Sequence, residues 1–194
     1  MRSGVSEAAF GRRRRAGRAE SGRRSLVWLG WAALVAATGC LGREDAAEAV
    51  LANTALVDLQ TARADPTDGA SASLRAVTTA DSTKFSLEVR GLGGQGGGGR
   101  EGQTLSAHLH VGPCVRGNGE AAGGHFNHTG GAEVSARSEV WLDFEIQDDG
   151  SARVVQTAPF VIPSGAARSL VVHEHETRPD GSAGARLACL PVGF

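Results

Sequence analysis

Between residues 54 and 192 apolar and polar side chains alternate in short runs, the two-residue period of a strand with one face in a core. TALVDLQTA (54–62), ASASLRAVTT (70–79) and TKFSLEVRGL (83–92) show it first, each bounded by Gly, Asp or Ser, and predict three strands in meander order. QTLSAHLHV (103–111) predicts a fourth. EVWLDFEIQ (139–147), an Asp-Asp-Gly turn and SARVVQTAPFVI (151–162) predict a hairpin, and SLVVHEHE (169–176) and ARLACLPV (185–192) close the chain as two more strands. Eight short strands without a convincing helix predict an all-β fold, an eight-stranded antiparallel Greek-key sandwich or barrel of immunoglobulin-like kind. Two stretches break the pattern. Residues 91–103 are a glycine-rich linker or mobile loop, without the lysine and hydroxyl residue that would mark a phosphate cradle. Residues 112–138 carry seven glycines and no sustained period, so they are either a long functional loop or a disordered one.

Composition fits one domain: 194 residues, 41% hydrophobic and 21% charged, with 28 glycines and no tyrosine. The net charge of −1 hides an asymmetry. Eight of the 20 basic residues fall in the first 24 positions, so the chain from residue 40 onward carries a formal −7. That acidic balance, without a basic stripe or aromatic platform, argues against a nucleic-acid partner. The arginine-rich head runs into SLVWLGWAALVAATGC (25–40), the order of an export signal, and the apolar run is short for a permanent span of about 20 residues. Arg23-Arg24 ahead of it is similar to a twin-arginine signal. Ala37-Thr38-Gly39-Cys40 resembles a bacterial lipobox, which implies Cys40 as the lipid-bearing first residue of the mature protein, although leucine is usual where Ala37 stands. The expected organisation is an export signal over 1–39, a lipid-anchored tether over 40–53 and a β domain over 54–194. The expected location is the bacterial cell envelope, periplasm or cell surface, with the membrane reached through the lipid.

If Cys40 carries lipid, Cys114 and Cys189 remain as one disulfide in an oxidising compartment, the alternative being two separate buried thiols. All six histidines lie between 108 and 175, in three groups: HLH (108–110), HFNH (125–128) and HEH (173–175). On a strand His108 and His110 share a face, a chelating geometry unless they are histidines that merely alternate. Imidazole suits copper, zinc, iron and nickel, and with no thiolate to spare an all-nitrogen site points first to copper or zinc.

These segments resemble the copper–zinc superoxide dismutases over about residues 54–192. HLH is similar to that family's paired copper ligands on one strand, and GGHFN to the segment of its metal-bridging histidine. VVH is similar to the strand of its last copper ligand, and AGARLAC to the segment with its active-site arginine and second disulfide cysteine. The resemblance implies His108, His110, His125 and His173 as copper ligands, Arg186 beside the copper, and a Cys114–Cys189 disulfide. The zinc half does not carry over. The stretch after HFN holds no further histidine except His128, and Arg137 and Val140 stand where zinc ligands would be expected, so a copper-only variant is expected. His175 shares a strand face with His173 and is either an extra ligand or an exposed strand-end histidine.

The activity implied is dismutation of superoxide to oxygen and hydrogen peroxide, with His125 handling a proton and Arg186 docking the anion. Without zinc, His125 needs another partner to orient it, which the sequence does not identify. A homodimer is compatible with the resemblance. The rival reading is a copper-binding or copper-delivery lipoprotein without turnover on the same fold. AHLHVG also resembles extracellular domains of the chordin-repeat type, for which no catalysis is implied.

Overall fold

The computed structural model describes residues 47–93 and 100–194; the expected export signal and Cys40 lie outside the described residues. Among the described residues nine strands form two antiparallel sheets. They are β1 (Ala47–Ala55), β2 (Val57–Asp58), β3 (Ser71–Thr78), β4 (Thr83–Arg90), β5 (Thr104–His110), β6 (Trp141–Glu145), β7 (Ala152–Ala158), β8 (Ser169–His173) and β9 (Arg186–Pro191). One sheet runs β1-β3-β4-β7 and the other β2-β9-β8-β5-β6. The chain passes between sheets from β1 to β2, β2 to β3, β4 to β5, β6 to β7 and β7 to β8, an order of Greek-key kind in which the β6–β7 connection is short. Among the described residues no ladder joins the sheets, so of the two expected architectures the open sandwich is the one adopted.

The strand count differs from expectation at the start of the domain. β1 pairs with β3 from Ala47↔Thr78 to Ala55↔Ser71, so residues 47–53, assigned from sequence to the tether, belong to the sheet. A register shift between Val50 and Ala52 interrupts the alternation there, which is why the period does not reveal the strand. The single strand expected over 54–62 is instead split at Leu56: β1 ends in one sheet, and Val57–Asp58 pairs with Cys189 and Ala188 in the other.

Alternation holds where one face meets solvent. In β4, Thr83, Phe85, Leu87 and Val89 are buried while Lys84 and Arg90 are exposed, and β6 buries Leu142 and Phe144 against exposed Asp143 and Glu145. The core between the sheets is built from Leu74, Phe85, Leu87, Leu105, Leu109, Leu142, Leu170, Leu187 and Leu190. β5 and β8 are buried on both faces. Ala107 and Leu109 of β5 enter this core, and the opposite face, with His108 and His110, is equally closed to solvent.

A candidate metal centre on the outer face of the sandwich

β5 lies between β6 and β8, and its register decides which side chains meet. Ser106 faces His173 across β8 and His108 faces Val171, so His108, His110 and His173 project from one face. The chain beyond β5 brings the fourth histidine back. His125 makes an isolated antiparallel bridge with His110, and Phe126 N–H donates to Leu109 O at 2.7 Å. Gly112 permits this return, because Gly112 N–H bonds Ala122 O at 2.7 Å and a Cβ on Gly112 would stand 2.2 Å from Ala121 O. The expected loop over 112–138 is thus ordered, with a 3₁₀ turn over Gly119–Ala122, and Cys114 ties it to β9 by a disulfide to Cys189 with Cα atoms 5.6 Å apart.

The four rings converge. His108 Nδ1 lies 2.9 Å from His125 Nε2, and His110 Nε2 lies 3.2 Å from His173 Nε2. His108, His125 and His173 each place one nitrogen within 4.8 Å of the others. The second nitrogen of every ring faces an oxygen. His110 Nδ1–H donates to Gly123 O, His173 Nδ1–H to Gly184 O, and His125 Nδ1–H to Glu139 Oε2, at 3.0, 3.4 and 2.9 Å. Thr177 Oγ1 donates to Asp143 Oδ1 at 2.6 Å and therefore accepts from His108 Nε2–H at 2.7 Å. Carbonyls and a carboxylate only accept, so these partners fix the tautomers and turn a lone pair inward from each neutral ring. Lone pairs facing each other at 2.9 and 3.2 Å repel unless a cation lies between them. Two imidazole nitrogens on one metal at about 2.0 Å stand about 2.8–3.3 Å apart for bond angles between square and tetrahedral, so the donor set fits a transition-metal ion.

Burial enforces the neutral state. Loss of hydration, then the charge that neighbouring rings would carry, pushes His108 down to about 2, His110 to about 3 and His173 to about 4. His125 is the one ligand candidate with some exposure, its side chain 19% accessible against 6% for Glu139.

Glu139 is the partner of His125 that the sequence left unidentified. Its carboxylate also accepts from Trp141 Nε1–H at 3.0 Å on Oε2 and from Asn127 Nδ2–H at 3.2 Å on Oε1. The signal for it was half present: along 139–144 Val140, Leu142 and Phe144 point to the core, so Glu139, Trp141 and Asp143 take the other face. Only the pairing Trp141↔His108 and Asp143↔Ser106 shows that this is the histidine face. Thr177 lies in the loop after β8 and meets His108 only because that loop folds back onto Asp143, which no local pattern reveals.

Arg186 starts β9 directly opposite His173, and its positive charge contributes to lowering the pKa of both His110 and His173. Its guanidinium donates from Nη1 to Gly119 O at 2.7 Å, while Gln60 Nε2–H holds its backbone carbonyl at 3.0 Å. It lines an open depression with Gln60, Asn118, Glu120 and Gly184. Two histidines stay outside the cluster. His128 is exposed with its ring stacked on Phe160 at 4.5 Å, and His175 lies past the end of β8, exposed, 3.9 Å from Glu174. Arg137 is exposed and Val140 is in the core, so neither is placed as a ligand.

No protein-family model matches the sequence, and no curated protein matches it. Among solved structures, one described as the clock protein EA4 is similar at 14% identity with a TM-score of 0.49, over 75% of this chain and 93% of its own.

Proposed function

We propose that this chain is a copper-dependent superoxide dismutase of the cell envelope, working without zinc. The observation that carries the reading is the convergence of nitrogens from His108, His125 and His173, with His110 Nε2 3.2 Å from His173 Nε2, each ring oriented from behind by an oxygen, and with Arg186 paired opposite His173. Copper is favoured among metals for such a site because divalent copper heads the affinity order at nitrogen ligands. Bound there, it would supply a one-electron couple, oxidising one superoxide to oxygen and reducing the next, with two protons, to hydrogen peroxide.

The protein's own residues do the rest. His108, His110 and His173 hold their lone pairs inward in a dry setting that excludes competing protons. His125, partly exposed, takes a proton from solvent at Nε2 and delivers it towards the departing peroxide, while Glu139 keeps its ring in place through Nδ1. In a zinc-containing site a second metal would hold that nitrogen; here a carboxylate fills the role. Arg186 offers the positive charge that an anionic substrate needs on an otherwise acidic domain. Export and lipid attachment at Cys40 complete the proposal, setting the enzyme where superoxide arrives from outside.

The rival, a copper carrier on the same fold, gains support from the short connection between His173 and Arg186 and from Glu120 beside the arginine. Pulse radiolysis of the copper-loaded protein separates them. The dismutase reading expects catalytic superoxide decay that slows as ionic strength rises; one equivalent of superoxide consumed per copper, then nothing, would leave the carrier.

A further inference from the structure

A second cluster of metal-ligating groups lies away from the histidines. Asp58 at the end of β2 and Asp65 and Asp68 in the loop leading to β3 each place a carboxylate oxygen within 4.8 Å of the other two. Asp65 is 6% exposed, and its Oδ1 accepts from Thr67 N–H and Thr67 Oγ1–H at 2.8 and 2.6 Å. Its other oxygen, Oδ2, is fully buried and receives no hydrogen bond. A buried carboxylate oxygen without a donor costs about 1–3 kcal/mol or more, and native interiors leave few such atoms. Arg116 Nη2 stands 3.5 Å from Asp58 Oδ2 with a side chain 73% exposed, and Arg63, which lines the same depression, is paired with Glu174 at 3.3 Å. A solvated arginine at the rim compensates little of the repulsion among three converging carboxylates. Asp58 is further engaged by Gln60 N–H at 2.7 Å, and Asp68 by Asp65 N–H at 3.2 Å, which hold both side chains in place.

We propose that Asp58, Asp65 and Asp68 bind a calcium ion, with Asp65 Oδ2 as the ligand that the site is built around. Hard carboxylate oxygens select a hard cation over the nitrogen-seeking metal of the histidine centre. Calcium, which takes six to eight oxygens in flexible geometry, suits a cage of three carboxylates; magnesium is usually held by one or two carboxylates with waters and substrate phosphates. The affinity expected is that of extracellular calcium modules, about 10⁻⁴ to 10⁻³ M. The position gives the ion a structural consequence. Gly117 N–H bonds Asp58 O at 3.0 Å, Leu59 N–H bonds Leu187 O at 2.9 Å, and Gln60 carries the backbone of Arg186. Calcium therefore braces the segment on which Arg186 and the disulfide loop rest. The assignment does not depend on copper binding or on dismutase activity.

The test is thermal unfolding of the full chain in detergent, with and without about 10 mM calcium chloride. A concentration ten- to a hundred-fold over Kd should raise Tm by about 3–8 °C. The rise should vanish in Asp65→Asn, whose amide keeps an acceptor for Thr67 while removing the charge, and persist in Asp81→Asn, on the exposed β3–β4 turn. Equilibrium dialysis with radioactive calcium on the unaltered chain should give one ion per chain, a reading that needs no variant to fold. No bound calcium, an equal shift in Asp65→Asn, or a shift as large with magnesium would overturn the assignment.

Discussion

At the scale of single residues the centre depends on what stands behind each imidazole. Glu139 holds His125 through a 2.9 Å hydrogen bond and is itself fixed by Trp141 and Asn127. Glu139→Gln preserves the shape but removes the charge that favours the protonated Nδ1, and partners of this kind are worth about 10–100-fold in affinity or activity. We expect a loss of that size in the dismutation rate, with a shifted pH profile, measured by pulse radiolysis across pH; a loss of copper without a change in the profile of the remaining activity would reduce Glu139 to packing. Arg186 makes no ligand bond, so Arg186→Gln should leave copper affinity unchanged. It should lower the second-order rate about 10-fold and flatten its dependence on ionic strength. An unaltered salt dependence would remove Arg186 from substrate steering.

At the scale of elements, the histidine face exists because long connections cover it. β5 and β8 contribute rigid, doubly buried strands, whereas His125 depends on a loop that returns to β5 through backbone bonds and is tied to β9 at Cys114. The cysteines are 75 residues apart, and closing a loop of that length removes unfolded-state entropy worth about 4–5 kcal/mol by the chain-entropy estimate. The Cys114→Ser/Cys189→Ser pair should lose about that much in urea unfolding and weaken copper binding, because His125 loses its tether. Retained affinity in the reduced protein would show that the backbone bonds at Val111, Gly112 and Phe126 hold the loop by themselves.

At the scale of the whole molecule, the buried histidines link stability to pH and to metal. In the unfolded chain each titrates near 6.5, whereas folding holds His108, His110 and His173 at about 2, 3 and 4. Between 6.5 and those values the unfolded chain binds protons that the metal-free fold refuses, so stability is intact above 6.5 and falls as pH falls. Three such groups give a slope approaching about 4 kcal/mol per pH unit, against a total stability of about 5–15 kcal/mol. The metal-free protein should therefore lose its urea midpoint steeply between pH 6 and 4, and copper should shift that loss to lower pH by binding the same nitrogens. A flat profile in the metal-free protein would mean that the rings protonate without opening the fold.

The sequence by itself determined the all-β class and seven of the strands, because alternation is a local property that survives wherever one strand face is wet. It also grouped the six histidines and offered Cys114 and Cys189 as a pair, while the choice of His108, His110, His125, His173 and Arg186 came from the resemblance of short motifs to a known family, which needs no knowledge of distant contacts. Only the tertiary structure decided that residues 47–53 pair with β3, since a bulge hides their period, and that the sandwich stays open. Only it brought Glu139, Thr177 and Asp143 to the histidine face, and Asp58, Asp65 and Asp68 to one point. Those residues carry no motif. Their roles follow from strand register and loop return, which are set by pairings between segments far apart in the chain.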